Sequence, residues 1–380
     1  MSGGVPGFVA SGVACGIKES GAPDLALVAT ADGRPVPAAA VFTTNLAPAA
    51  PVQVSRAHLA ATGGYAAAVV INSGNANAAT GRTGYEQAER TCALVAEGLG
   101  CRTEEVLVCS TGLIGIPLPF DALLSGLGPL VAAVQPTGFP AAALAMMTTD
   151  TSPKDVVHRA GGFLVRGIAK GAAMLAPHMA TMLAVLATDA EVTPAELHAA
   201  LLAGVAGSFN ALSVDGATST NDTVIALAGG RAGPRPGLPG VVADVCAELA
   251  TLMADGAEGA TKRARIRVTG AASTDDARRA ARKVAESQLV QCSLYGSDPY
   301  WGRIVSELGS AGVAFDPDRV SVAYNGVVVC RAGIAVPGAV ASIAGREVEV
   351  TADLGLGDGA AVVTTTDLTP EYIAENMRTS

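Results

Sequence analysis

Lys170–Ala190 reads KGAAMLAPHMATMLAVLATDA, and the reading of its apolar half decides the fold. From Gly171 to Thr188 run 18 residues without a charge, which reaches the roughly 17-residue lower limit of a membrane-spanning helix. The run also holds Gly171, Pro177, His178 and two threonines, and alanine dominates it. A membrane span is therefore rejected. Met182–Thr188 reads instead as a buried strand, and Gly162–Ile168, on the other side of Lys170, as another. Thr181 stands at the head of the apolar run, oddly placed for solvent and oddly polar for a core. Two readings are open for it. One is a buried strand threonine bonded to its neighbours; the other is a point where the chain cuts itself and exposes a threonine with its own amino group beside it.

Moving outward, strands and helices alternate. Tyr65–Asn72 reads as a buried strand followed by the Gly/Asn turn SGNANAATG, and Tyr85–Leu99 carries apolar residues at helical spacing. Val106–Ser110 is a further strand that leads into Ser110-Thr111-Gly112. Thr193-Pro194-Ala195-Glu196 opens a helix with a capping box and an early proline. Leu238–Met253 and Thr274 to about Ser287 read as two more helices, and Trp301 opens another after Asp298-Pro299. Beyond them the texture changes. Asn325-Gly326 between β-rich runs signals a hairpin, Glu347–Asp353 alternates, and Ala360–Thr366 repeats β-branched residues. The expected architecture is α/β over residues 1–270 with a smaller antiparallel α+β domain over 271–380.

Composition narrows the function classes. The 380 residues exceed one ordinary core. Half are hydrophobic, only 4% are aromatic, and glycine numbers 45, so the core is built from Ala, Val and Leu at close approach. With 34 acidic against 25 basic residues and no basic cluster, nucleic acid is an unsuitable partner. The first cation is Lys18, so no secretory leader is read, and a cytoplasmic location is expected. Seven cysteines without CxxC spacing fit reduced thiols rather than disulfides or zinc. Four scattered histidines (58, 158, 178 and 198) give little support to a metal site or a triad. The GLGDG at 355–359 lies between strands and lacks the dinucleotide-binding spacing.

KGAAMLAPHMATMLAVLATDA resembles the self-cleavage segment of the ornithine acetyltransferase (glutamate N-acetyltransferase) family of arginine biosynthesis. GFVASGVACGIKESGAPDLAL, INSGNANAATG, CSTGLIG, MMTTDTSPK, VDGATSTNDT, DGAEGATK and GSDPYWGRI match in the same order, nearly from end to end. On these residues the chain is identified as a member of that family. The resemblance implies its layered α/β sandwich and cleavage between Ala180 and Thr181. It implies an acetyl-threonine intermediate that takes acetyl from N-acetylornithine and hands it to glutamate. It also implies an assembly of two 1–180 and two 181–380 chains. No cofactor or metal is implied, and acetyl-CoA enters as an alternative donor.

The chemistry suits a chain poor in histidine. A threonine hydroxyl needs a base, and a free α-amine of pKa about 7.7–8.0 accepts its proton near neutrality. By resemblance Thr111 and Gly112 form the oxyanion hole; from the residues alone they are an ordinary strand-to-loop turn. Lys170, Glu258 and Thr148 match the family's substrate-binding positions. Read singly they are a solvated strand-end lysine, an exposed loop glutamate and a turn threonine. The tail EYIAENMRTS departs from the family pattern. Asn376 matches a substrate-binding asparagine. The spacing from it to the terminal hydroxyl pair, which includes Ser380, is one residue short, and TTTDLT replaces a tryptophan-threonine-cysteine version. Asp215–Asp222 and Asn72–Asn77 read as loops near the site, with Gly74 at positive φ. Two other classes stay open: an amidase or aminopeptidase that delivers the acyl group to water, and a non-catalytic amino-acid-binding relative.

Overall fold

The computed structural model describes residues 3–172 and 182–377. Ala180, Thr181, His178 and Ser380 lie outside the described residues. Two compact units form, Met1–Asn210 with Ala217–Met253 and Ala211–Gly216 with Ala254–Ser380.

The first unit holds two sheets. One has the order β1 (Phe8–Val13), β2 (Leu25–Thr30), β5 (Ala68–Asn75), β6 (Val106–Leu113). The other runs β4 (Tyr65–Ala66), β3 (Val36–Phe42), β10 (Thr223–Ala228), β9 (Leu183–Thr188), β8 (Phe163–Lys170), β7 (Lys154–Ala160). Pairings are antiparallel except β5 with β6 and β9 with β10. Side chains alternate across a strand, and the alternation separates two apolar layers. Leu25, Leu27, Ala29, Val106 and Val108 point to the helices α1 (Ala50–Thr62), α2 (Gly81–Leu99) and α3 (Phe120–Ala132). Ala26, Val28, Leu107 and Cys109 point the other way, to Leu183, Val185, Ile225 and Leu227 of the second sheet. Helix α4 (Phe139–Met146) sits in that inner layer.

The outer face of the second sheet carries α5 (Pro194–Ala206) and α6 (Leu238–Asp255). A Cβ at Gly167 of β8 would lie 2.7 Å from Leu249 and 2.8 Å from Val245, so glycine is what lets α6 approach. The order is therefore helix, sheet, sheet, helix, the expected layered α/β sandwich. The capping box at Thr193 and Glu196 forms as read. The strand read over Tyr65–Asn72 breaks at Ala67, because β4 pairs with β3 in one sheet and β5 with β2 in the other. No helix among the described residues is long and apolar enough to cross a membrane.

The second unit is one sheet in the order β14 (Ile334–Ala335), β13 (Val327–Arg331), β12 (Ser321–Tyr324), β15 (Glu347–Asp353), β11 (Arg263–Ala271), β16 (Gly359–Thr366). Its helices are α7 (Thr274–Ala285), α8 (Gln288–Tyr295), α9 (Trp301–Gly309) and α10 (Pro370–Asn376). Asn325 and Gly326 take φ of 47° and 81°, the two left-handed positions of the expected hairpin turn.

Two expectations need correction here. The sheet is mixed rather than antiparallel, because β11 pairs in parallel with β15. The division falls at Ala254 rather than Gly270. Its reason is β11, whose Ala264, Ile266 and Val268 sit in the core of the second unit between β15 and β16.

Candidate active site

In the first unit the site residues collect at strand ends. Strand β6 continues beyond Ser110, so Thr111 and Gly112 lie within it, just before its last residue Leu113. Register pairs Thr111 with Ser73 and Gly112 with Gly74 of β5. Gly112 has φ of 135°, and a Cβ there would stand 2.2 Å from the Gly74 carbonyl carbon. Both the conformation and the close approach require glycine. Gly74 itself takes φ of 100°, as its turn reading anticipated.

Lys170 is the last residue of β8 and is 3% exposed, so it is not a solvated strand-end lysine. Its Nζ donates to Thr111 Oγ1 at 3.1 Å. Thr111 is fully buried. A hydroxyl that accepts from an ammonium directs its own hydrogen elsewhere, towards a developing oxyanion if one forms beside it. The neighbouring positive charge strengthens such a donor.

Asp150 holds this arrangement from behind. Its Oδ1 accepts the Gly171 N–H at 2.8 Å and the Lys154 ammonium, and its Oδ2 accepts the Thr148 N–H at 3.1 Å. Thr148 thus belongs with Lys170, joined through one carboxylate. Burial alone would raise the Asp150 carboxyl, but the charges of Lys170 and Lys154 outweigh it and hold the group below its usual value. Lys18 reports the same crowding of positive charge: burial first, with Lys170 adding, lowers its ammonium, while Asp24 and Asp150 oppose. Asp24 orders that loop by accepting the N–H groups of Cys15, Gly16, Ile17 and Lys18.

The loop before β10 references several elements to one another. Asn221 Nδ2 donates to Ala76 O at 2.6 Å and to Ser110 O at 2.9 Å. Asp222 Oδ1 accepts the Met182 N–H at 3.0 Å, and the Asp222 carbonyl accepts the Thr43 N–H at 2.8 Å. Met182 is the residue that follows Thr181.

In the second unit Glu258 is 8% exposed, not a surface loop residue. Its Oε2 accepts from Asn376 Nδ2 at 2.7 Å. Thr369 caps α10, accepting the Tyr372 N–H at 3.0 Å and donating to Gly259 O at 2.9 Å. Gly259 has φ of 60°, and a Cβ there would stand 2.4 Å from Tyr372 N. Tyr372 donates its hydroxyl to Asp215 at 3.1 Å; burial, then Asp215, raises that phenol above its ordinary value. The altered tail is thus a capped helix fastened over the Glu258 turn, and Asn376 reaches Glu258 from it.

Other nucleophiles find little support among the described residues. Burial first pushes the thiols of Cys15, Cys109 and Cys246 up to about 12 and that of Cys101 to about 11, which keeps them protonated and unreactive. His58 is spent on Val106 O at 2.7 Å and Glu89 at 3.1 Å, and His158 on Glu248 at 2.6 Å. Sequence reasoning passed over Asp24 and Asp150, and placed Asn221 and Asp222 only within a loop near the site. Each stands inside a quoted motif, where a carboxylate or amide between Gly, Ser and Thr looks like turn chemistry.

A buried hydroxyl under an ammonium, at a strand end that only glycine can follow, has the geometry to receive a developing oxyanion, as acyl transfer requires. The comparisons agree with that class. Residues 9–379 match the ArgJ family. The arginine biosynthesis bifunctional protein ArgJ of Mycolicibacterium paratuberculosis is 48% identical over 382 residues, covering 97% of this chain and 94% of that protein. The protein of the same name from Thermobifida fusca is 46% identical, covering 97% of each. A solved chain of Mycobacterium tuberculosis ornithine acetyltransferase complexed with ornithine is 45% identical and aligns at a TM-score of 0.44 over 46% of this chain and 95% of that one. The chain belongs to the ArgJ family.

Proposed function

We propose that this protein transfers the acetyl group of N-acetylornithine to glutamate in arginine biosynthesis, through an acetyl ester on Thr181. Identity with ArgJ proteins over nearly the whole chain supports the activity. The observation that carries the chemistry is the 3.1 Å contact of Lys170 Nζ with Thr111 Oγ1. In this reading Thr181 attacks the Ala180 carbonyl, the acyl group shifts from nitrogen to oxygen, and hydrolysis of the ester leaves Thr181 as a new N-terminus. Its amine then takes the hydroxyl proton while Oγ1 attacks the acetyl carbonyl of N-acetylornithine. Thr111 Oγ1–H and the Gly112 N–H receive the oxyanion. The proton passes to the departing ornithine amine, and glutamate attacks the ester in the reverse sense.

Lys170, Thr148, Glu258 and Asn376, with Ser380 at the tail, are the groups proposed for the amino-acid substrate. N-acetylornithine carries one carboxylate and one side-chain ammonium and so calls for both signs of charge. The relatives are named bifunctional proteins, and for a second activity of this chain we propose acetyl-CoA as the acetyl donor. No resident cofactor is needed for either transfer. We place the enzyme in the cytoplasm as an assembly of two 1–180 and two 181–380 chains.

Intact-mass analysis with an acetyl-transfer assay tests the reading. Two fragments, the second beginning Thr-Met-Leu-Ala, are expected, with glutamate-dependent ornithine release from N-acetylornithine. A single uncut chain, or hydrolysis indifferent to glutamate, would overturn it. Acetyl-CoA as the donor with glutamate as acceptor tests the second activity.

A further inference from the structure

Asp222 brings a carboxyl group into the interior beside Met182. It is fully buried at the head of β10, beside the head of β9. One carboxyl oxygen, Oδ1, is used by the Met182 N–H at 3.0 Å. The other, Oδ2, is buried and makes no hydrogen bond of good geometry among the described residues, although Ser219 lies beside the carboxyl as a polar neighbour. An unpartnered carboxyl oxygen in the interior is costly and calls for a specific donor. Met182 N is the nitrogen of the peptide bond that joins residue 181 to residue 182, so the carboxyl grips the backbone one bond from the proposed nucleophile.

The register makes this a built feature. Thr223 pairs with Leu183, and the Thr223 N–H donates to Met182 O at 3.1 Å. Residue 222 therefore follows the backbone of residue 182 as a consequence of parallel strand pairing. Asn221, one residue earlier, holds Ser110 O next to Thr111.

We propose that Asp222 is a positioning residue for the α-amine of Thr181, its Oδ2 accepting an N–H of that amine once the Ala180–Thr181 bond is cut. The inference rests on the function proposed above. In the transfer step the Thr181 Oγ1–H bond breaks, the Oγ1–acetyl bond forms, and the proton moves to the amine. The N–H bond to Oδ2 directs the amine lone pair at Oγ1, and the carboxyl stabilises the ammonium that results. When ornithine leaves, the same proton goes to its nitrogen. The role corresponds to that of the carboxylate in a serine-protease triad, which orients its base and stabilises the cation without taking the proton.

Before the cut, burial works against the ionised form of Asp222. Burial pushes the Asp222 carboxyl well above its ordinary value, against the Met182 N–H, the Lys170 charge and Ser219, which pull it down. A forming ammonium adds to that pull. The charged group facing Asp222 is Lys170, from the end of β8, and Lys170 in turn meets Asp150 and Lys18.

Asp222→Asn tests the assignment, because an amide oxygen still accepts from Met182 but carries no charge. Purified cleaved enzyme is assayed for transfer across pH, and cleavage is followed by intact mass. Transfer kcat is expected to fall about 10²-fold, with KM for N-acetylornithine within about twofold, because the interaction lost is not one made with the substrate. The acid limb of the rate profile is expected to move down by about one in pH, because the ammonium has lost its counter-charge. Cleavage is expected to suffer less than transfer, since the free amine does not exist before the cut. An unchanged pH profile overturns the proposal. So does equal loss of cleavage and transfer with a lowered melting temperature, which would make Asp222 scaffold alone; Asp222→Glu, which keeps the charge, would then give no recovery of the acid limb. Wild-type enzyme left uncut at Ala180–Thr181 would sink the parent reading instead, whatever Asp222 does.

Discussion

The two clusters are built differently. Thr111, Gly112, Lys170 and Asp222 stand at the ends of strands whose register and burial leave little room for adjustment. Glu258 and Asn376 meet through a turn and a seven-residue helix whose Asn376 faces solvent. A strand end inherits its position from a whole sheet, whereas a short capped helix depends on one threonine and two side-chain bonds. The lesson is a division of labour. On the roles proposed above, the oxyanion groups and Lys170 sit where displacement is hardest, whereas Glu258 and Asn376 sit on a turn and a short helix.

Breaking the strand-built cluster should therefore act on kcat. Thr181→Ala is expected to abolish both cleavage and transfer, a loss of about 10⁴-fold or more; acetyl exchange persisting in that variant moves the nucleophile elsewhere. Thr111→Val removes one oxyanion donor and should lower kcat by about 10²–10³-fold with KM little changed, read from steady-state kinetics. Gly112→Ala tests the rigidity itself. Left-handed backbone strain costs about 1–3 kcal/mol and overpacking against Gly74 a similar amount, so denaturant melts should show both.

Asp150→Asn leaves the buried Lys154 ammonium without its partner charge, an expected loss of about 3–5 kcal/mol. Its pH signature has a definite sign. The Asp150 carboxyl is held below its ordinary value in the fold, so its contribution is present above the unfolded pKa of roughly 3.9. That contribution disappears as pH falls through the lower folded value. The variant's acid unfolding curve should accordingly be flatter than the wild type's. The smallest effect belongs to the other cluster. Asn376→Ala should raise KM about fivefold, roughly 1 kcal/mol, and leave kcat and the melting temperature nearly untouched. A collapse of kcat there would erase the contrast between the two regions.

How much of this was legible follows the side chains. Val106–Ser110, Glu347–Asp353 and the Asn325-Gly326 hairpin carry β-branched residues and a turn pair, and all three form. The helix after Thr193 announces itself through its capping box. LALVAT and VPAAAVF are strands too, but alanine has no strand preference, and burial on both faces removes the polar alternation. FPAAALAM forms α4 between two sheets, and because all of its residues are apolar, Leu144 on its open side included, no period remains. The parallel partner of Arg263–Ala271 lies some eighty residues away, beyond any local pattern. In the site, Lys170, Thr111, Gly112 and Glu258 were named through motif resemblance. Asp150 was missed, and Asp222 read only as part of a loop near the site, because only burial separates a structural carboxylate from a turn residue.

The pair Asn221-Asp222 has a further consequence. One amide nitrogen sets the height of Ser110, one carboxyl oxygen sets that of Met182, and one carbonyl sets that of Thr43. Three strand ends are thus measured from a common datum two residues long. Because all three bonds come from one loop, that loop fixes the spacing between β6, the strand of the proposed oxyanion groups, and β9, the strand that follows the proposed nucleophile. A site built this way tolerates drift in absolute position, provided that the loop before β10 keeps its length.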